Sequence, residues 1–119
     1  YWTCTSAGVI ARLSRGEVEV IAQDLKQPYG LASDLLGNLC FTEVPTPGVS
    51  GADGGQNRVS KLNVGTGEIT IIDEGDPDPI DVTVEPLGTT VYWTCRSAGV
   101  IVEAKLQRRR RGSYAVRGG

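Results

Sequence analysis

The chain has 119 residues, of which 39% are hydrophobic and 22% charged, with 16 Gly and 6 Pro. This composition is that of a single globular domain and excludes a disordered or collagen-like chain. The formal net charge is −2 and His is absent, so the chain has no general attraction to nucleic acid or anionic membranes and lacks the base needed for Ser/His/Asp or Cys/His catalysis. No apolar run approaches the ~20 residues that span a bilayer.

An internal repeat is the clearest signal along the chain. Residues 1–10 reappear at 92–101 with a single substitution. The two copies lie about twice the ~40–50 residues of a propeller blade apart, so a third, diverged copy is expected between them. It is found at 39–43, and residues 57–62 after it match residues 8–13.

The predicted elements are short strands separated by turn residues. In the middle unit, 30–33 predicts a first strand, and 35–38, with Gly and Asn, predicts a hairpin turn. The second, third and fourth strands are predicted at 39–43, 58–63 and 68–73. Because no long stretch has a helical period free of Gly and Pro, we predict an all-β chain.

Two patterns carry a resemblance to known families. The run Pro-x-Gly-Leu-Ala-x-Asp-x-x-Gly-Asn-Leu at 28–39 resembles an NHL repeat, as does Asn-Arg-Val-x-Lys-Leu at 57–62. Tyr-Trp-Thr at 1–3 and 92–94 resembles the YWTD repeat of lipoprotein-receptor propellers. The resemblance covers nearly the whole chain and implies β-propeller blades of four antiparallel strands. It implies little about function, because propellers include enzymes, receptors and lectins.

Blade counting predicts association. Residues 1–119 form one propeller segment, with three strands at about 1–24 and four strands each at about 25–73 and 76–119. Propellers generally close with at least four blades, so two apolar faces would stay open. We therefore expect two chains to form a six-bladed ring as a homodimer. The alternative is that this Met-free chain is a processed piece or fragment that meets the remainder of a longer propeller.

A ligand site is expected where the loops after the second and fourth strands emerge. The insertion at 45–56 and the acidic link at 73–81 should project on the same face. Tyr29 begins an innermost strand and would reach the channel mouth. The ligand would be a carbohydrate or a protein, and the residues assigned to it are Tyr29, Asp53, Asn57 and Asp81.

The acidic link is also a candidate cation site. Carboxylate oxygens are the ligands that Ca²⁺ prefers, so calcium is the one cofactor considered. Its ligands would be Asp73, Glu74, Asp76 and Asp78. Because no EF-hand spacing is present, the alternative interpretation is a solvated acidic turn stiffened by prolines.

The cysteines and tryptophans are interpreted as packing residues. Cys4, Cys40 and Cys95 lack the spacing of zinc ligands and are read as small apolar strand residues, with a reactive or intermolecular thiol as the alternative. Cys4 and Cys95 also stand where the YWTD motif has Asp. Trp2 and Trp93 occupy equivalent places, which favours packing between blades over stacking on a sugar.

The function predicted from these residues is a non-enzymatic binding or scaffold module, lectin-like or protein-binding. The alternative is a divalent-cation-dependent hydrolase or lyase similar to the gluconolactonase and strictosidine-synthase propellers; no catalytic residue is assigned. The four arginines at 108–111 fit a solvated hairpin or a processing site better than a nucleic-acid contact, since aromatic residues are not interleaved with them. The compartment stays open, with an extracellular location slightly favoured.

Overall fold

The computed structural model describes residues 1–45, 57–96, 98–108 and 114–117. These residues form strands and no helix, which confirms the prediction of an all-β chain. Within the same residues there is accordingly no helix long and apolar enough to cross a membrane. The tips of the 45–56 insertion and of the arginine hairpin, residues 46–56 and 109–113, lie outside the described residues.

The strands form three antiparallel sheets that follow one another along the chain. The first sheet contains β1 (Trp2–Cys4), β2 (Val9–Ser14) and β3 (Glu17–Ala22). The middle sheet contains β4 (Pro28–Ser33), β5 (Asn38–Glu43), β6 (Arg58–Asn63) and β7 (Ile69–Glu74). The last sheet contains β8 (Pro79–Val84), β9 (Thr90–Cys95), β10 (Val100–Arg108) and β11 (Tyr114–Arg117).

Strand β5 contributes to two hydrophobic cores at once. Its residues Leu39 and Phe41 pack with Ile10 of the first sheet. Cys40, which lies between them in the sequence, belongs to a second core that includes Trp93 of the last sheet. Since successive side chains of a strand point to opposite faces, a continuous run of buried residues is what a strand between two sheets requires.

The equivalent aromatic positions differ in their burial. Phe41 and Trp93 occupy the same place in β5 and β9, and each faces the preceding sheet. Trp93 is only 2% exposed, so its interpretation as a packing residue is confirmed. Trp2, the equivalent residue of β1, is 39% exposed, because no described sheet covers that side of the first sheet.

A threonine hydroxyl joins the middle and last sheets. Thr42 Oγ1 accepts a hydrogen bond from Gly30 N at 2.9 Å within the middle sheet. The same hydroxyl donates to the carbonyl of Ile80 in the last sheet at 3.2 Å. The pairing of β4 with β5 shifts between residues 28 and 31, which turns the Gly30 N–H away from the regular ladder and toward Thr42. One side chain therefore fixes two innermost strands relative to each other.

The equivalent threonines of the other sheets each make half of this connection. Thr3 Oγ1 donates to the carbonyl of Tyr29 at 2.9 Å and so joins the first sheet to the middle sheet. Thr94 Oγ1 accepts from Asp81 N at 3.3 Å within the last sheet. Thr3 and Thr42 therefore bridge neighbouring sheets, whereas Thr94 bonds only within its own sheet.

Gly30 allows the two innermost strands to approach each other. A Cβ atom placed on Gly30 would lie 2.3 Å from the carbonyl oxygen of Ile80. Real Cβ atoms do not come this close to a backbone oxygen, so any side chain here would force the middle and last sheets apart. The glycine is required by the inter-sheet distance that the Thr42 hydrogen bonds set.

We predict that Gly30→Ala lowers the free energy of unfolding by about 1–3 kcal/mol, the usual cost of overpacking an interior site. The matched control is Gly65→Ala, where an added Cβ meets only Asn63 Oδ1 at 3.4 Å. Urea denaturation of both variants measures the difference. Equal stability of the two variants would show that the strands do not approach as described.

Candidate functional site

The acidic link between the middle and last sheets is held in place by Asn57. This residue is fully buried, its carbonyl accepts a hydrogen bond from Gly75 N at 2.9 Å, and its Nδ2 donates to the carbonyl of Asp76 at 3.2 Å. Asn57 is the first described residue after the 45–56 insertion, and it lies beside the acidic link. Asp53, the other residue assigned to this region, lies outside the described residues.

The carboxyl groups of Asp73 and Asp76 in the link lie beside each other. Partial burial raises the pKa of Asp73 from its ordinary value of 3.8 to about 7, with further contributions from the hydrogen bond to Asp76 and from the Asp76 charge. Asp76 Oδ2 in turn accepts a hydrogen bond from Trp93 Nε1 at 2.9 Å. Asp73 therefore keeps its proton up to about neutral pH. Asp76 ties the link to Trp93 in the second core.

The two buried cysteines are poor nucleophiles. Burial raises the pKa of Cys40 to about 12. Burial, reinforced by the charge of Asp76, raises the pKa of Cys95 to about 11. Because the thiolate is the reactive form, these thiols are suited to packing rather than to chemistry. All three cysteines are unpaired, and Cys4 is half-buried at the edge of the first sheet.

Glu43 and Cys95 occupy equivalent positions in β5 and β9, but their surroundings differ. Glu43 is buried and its Oε2 accepts a hydrogen bond from Lys26 N at 2.8 Å. The residue equivalent to Lys26, two positions before the equivalent proline, is Pro77, which has no N–H to donate. A carboxylate at position 95 would lack that donor, and the carboxylate near this place is supplied instead by Asp76.

The four residues predicted to bind calcium have different surroundings in the structure. Asp73 and Asp76 face each other, whereas Asp78 is buried with its Oδ2 4.0 Å from the guanidinium of Arg96. Glu74 is exposed at the end of β7. Across the described parts of the chain, no three His, Cys, Asp or Glu side chains are grouped so as to hold a metal ion. Calcium binding stays a prediction.

Tyr29 and Asp81 lie on the innermost strands of neighbouring sheets. Both side chains are exposed, Tyr29 on β4 and Asp81 on β8. Their backbone groups, in contrast, are used in the threonine connections, since the Tyr29 carbonyl accepts from Thr3 and the Asp81 N–H donates to Thr94. Their assignment to a ligand, like that of Asn57, stays a prediction.

A cavity lies on the side of the last sheet that points away from the middle sheet. We call this surface, made by Tyr92, Thr94 and Ile101, the last open face. The cavity has a volume of about 340 Å³, and it is lined by Asp81, Val82, Thr83, Tyr92, Trp93, Thr94 and Ile101. The blade count predicts an open face here. It does not predict the cavity, because the cavity depends on side-chain placement that the repeat pattern does not specify.

The last open face repeats a surface that the middle sheet buries. Thr94 pairs with Ile101 across β9 and β10, as Thr42 pairs with Val59 across β5 and β6. Val59 is 1% exposed beneath the last sheet, whereas Ile101 is 75% exposed. The two surfaces therefore differ in whether another sheet covers them rather than in the kind of residues they present.

The first sheet has an exposed apolar surface on the side that points away from the middle sheet. We call it the first open face; its members are Trp2, Leu13, Val18 and Val20. The pairings of Trp2 with Ala11, Ala11 with Val20, and Leu13 with Val18 place these side chains on one side of the sheet. Exposed apolar surfaces of this kind are typical of interaction sites.

We predict that ionisation of Asp73 weakens folding as the pH rises from about 4 to about 7. The pKa is 3.8 ordinarily and about 7 in the folded chain. Between these values the folded state binds a proton that the unfolded state has lost, so the free energy of unfolding falls with increasing pH and levels off above about 7.

Asp73→Asn removes this contribution because the amide stays neutral and still donates to Asp76. The stability gain of the variant over the wild type is therefore expected to be larger above pH 7 than near pH 4, as measured by urea denaturation across this range. The control, Glu17→Gln on the exposed hairpin of the first sheet, should show no such trend. A constant difference between Asp73→Asn and the wild type at every pH would contradict the assignment.

Comparisons with known proteins support the fold. No family model matches the chain. No curated protein matches it either. The crystal structure of a nidogen/laminin complex contains a chain that matches with a TM-score of 0.66 and 22% identity, over 83% of this chain and 38% of that one. This chain thus spans well under two thirds of the length of the chain it matches. At this identity the likeness concerns the fold alone. The three sheets have a YWTD-like β-propeller fold.

Proposed function

We propose that this chain is a protein-binding β-propeller module that acts through its open sheet faces. The observation that carries the proposal is the last open face. This face is uncovered, and it has the same arrangement of residues that the middle sheet uses to bind the last sheet. The solved structure with the similar fold is, by its title, a complex of two proteins. This supports protein binding as the general activity.

The last open face has both components of the inter-sheet contact. In the middle sheet, the Thr42 hydroxyl donates to a carbonyl of the next sheet while apolar side chains pack around it. Thr94 accepts from Asp81 N, and among the described residues no acceptor takes its own proton. A partner strand that offers a carbonyl there, and an apolar side chain to the cavity, would reproduce the internal contact.

The first open face offers such an apolar side chain. Trp2 is the equivalent of Trp93, the residue with which the last sheet fills the face of the middle sheet. The first open face of a second copy therefore complements the last open face of the first copy, and the reverse contact closes the assembly. Two chains joined in this way form a two-fold homodimer with six sheets.

The other candidate functions have weaker support. Trp93 is one of the two tryptophans on which a sugar would stack, and it is buried in the second core. The carboxylates proposed for a cation-dependent hydrolase are committed in part to each other and to Trp93. We therefore place protein binding ahead of carbohydrate binding and cation-dependent catalysis.

We predict that the wild-type chain sediments at micromolar concentration with twice the monomer mass of 12.6 kDa. Ile101→Asp places a charge on the last open face, where association would have to bury it unpaired, and should weaken self-association more than tenfold. The control is Leu87→Asp, because Leu87 is also exposed but lies in the turn between β8 and β9. A wild type that stays monomeric, or an Ile101→Asp variant that associates like the control, would refute the proposed assembly.

A further inference from the structure

Two hairpin turns place leucine side chains at one end of the sheets. The turn between β4 and β5 contains Leu35 and Leu36, which are 79% and 62% exposed. The turn between β8 and β9 contains Leu87, which is 66% exposed and follows the exposed Pro86. We call these four residues the leucine turn surface. It lies at the opposite end of the sheets from the acidic link, because β7 begins beside these turns and ends at the link.

Backbone hydrogen bonds join the turns into one surface. Leu35 N donates to the carbonyl of Pro86 at 2.8 Å, which connects the turns of the middle and last sheets. Val64 N, in the turn between β6 and β7, donates to the carbonyl of Gly37 at 3.0 Å. The leucines therefore lie on three adjoining turns rather than on separate loops.

Asp34 fixes the conformation of the turn between β4 and β5. Its Oδ1 accepts hydrogen bonds from Leu36 N at 2.8 Å and from Asn38 N at 3.0 Å. Its Oδ2 accepts from Asn38 Nδ2 at 3.0 Å, and a Cβ atom on Gly88 would lie 2.7 Å from the same oxygen. The leucines are therefore held in a preorganised arrangement, which lowers the entropic cost of binding a partner.

The three adjoining turns are acidic. Residues 34–37, 64–68 and 85–89 include Asp34, Glu68 and Glu85 but no Lys or Arg. An exposed apolar surface among carboxylates is complementary to a partner whose apolar residues are flanked by Lys or Arg. The same charges disfavour an anionic membrane surface.

These turns recognise a partner through side chains, because their backbone donors are in use. The N–H groups of Leu35, Leu36 and Gly88 all have acceptors within the turns. Strand addition needs free backbone groups, whereas a helix satisfies its own backbone and binds through one face. The described residues of this chain form no helix, which favours a different polypeptide over a second copy.

We propose that the leucine turn surface binds a basic amphipathic helix of a partner protein. The apolar stripe of the helix covers the leucines, and its flanking Lys or Arg side chains lie beside Glu68 and Glu85. This surface is separate from the first and last open faces, and helix binding does not depend on the proposed self-association.

The test is titration of the 119-residue chain with a synthetic helical peptide of about 18 residues, with Leu on one face and Lys on the other. Calorimetry should show saturable binding, and the amide signals of residues 34–37 and 85–89 should shift most in NMR spectra. The same peptide with Glu in place of Lys should bind about tenfold more weakly. Equal affinity for the Lys and Glu peptides, or no binding of the Lys peptide, would overturn the proposal.

Replacement of both leucines of the first turn, Leu35→Ser together with Leu36→Ser, tests the surface itself. The double variant loses apolar contact area and should bind the Lys peptide about tenfold more weakly. The matched control is Leu13→Ser, because Leu13 is 63% exposed but lies on the first open face. The control should leave binding unchanged, and equal weakening by both replacements would contradict the assignment of the site.

Glu85→Gln tests the charge beside the leucines. Glutamine can still accept the hydrogen bond that Glu85 Oε2 receives from Thr89 Oγ1, so the turn keeps its shape and loses only its charge. Binding of the Lys peptide at low salt should weaken about threefold. Glu74→Gln, at the far end of β7, is the control and should have no effect. Equal affinities of these two variants would count against the role of the carboxylates.

Vesicles of neutral phosphatidylcholine test a membrane as the alternative occupant. The wild-type chain should not sediment with them. Sedimentation with the vesicles that the double leucine replacement abolishes would show that the surface binds lipid, and it would overturn the proposal. The proposed self-association is unaffected by any of these results, since the mass measurement tests it separately.

Discussion

The hydroxyl group of Thr42 binds two innermost strands at once, and the arrangement of the sheets depends on this contact. It accepts from Gly30 N in its own sheet and donates to the Ile80 carbonyl of the next. A hydroxyl suits this position because it is both donor and acceptor. The close approach that results requires Gly30, and it brings the apolar side chains on either side of β5 within reach of two neighbouring sheets.

The same kind of contact, made by the Thr3 hydroxyl to the Tyr29 carbonyl, joins the first sheet to the middle sheet. The first sheet and the last sheet each have one apolar face that no described sheet covers. The acidic link strengthens the internal interface, because Asp76 accepts from Trp93 Nε1 and Asn57 fixes the Asp76 backbone. Carboxylates that suggest a cation site from composition alone therefore have a structural use.

Much of the fold could be predicted from the sequence, because the repeat of residues 1–10 at 92–101 indicates both where the strands lie and which side chains share a face. The equivalence of Trp2 and Trp93 predicted packing between sheets, and Trp93 is buried in this way, whereas Trp2 lies on a side that no described sheet covers. The role of Thr42 was not predicted, although Thr3, Thr42 and Thr94 recur in the repeat, because spacing does not reveal which backbone groups leave the strand ladder. The pairing of Asp73 with Asp76 was missed for a similar reason: a run of acidic residues does not show which carboxylates face each other. Asp53 lies outside the described residues.

Hydrogen exchange at the Gly30 amide, compared between the wild type and Thr42→Val, tests the central contact most directly. Valine keeps the shape of threonine but cannot accept the Gly30 N–H or donate to the Ile80 carbonyl. The account predicts that exchange at Gly30 becomes at least tenfold faster in the variant, in keeping with the loss of a buried hydrogen bond. The Asp81 amide, which donates to Thr94, should change less. Equal protection of the Gly30 amide in both proteins would contradict the account.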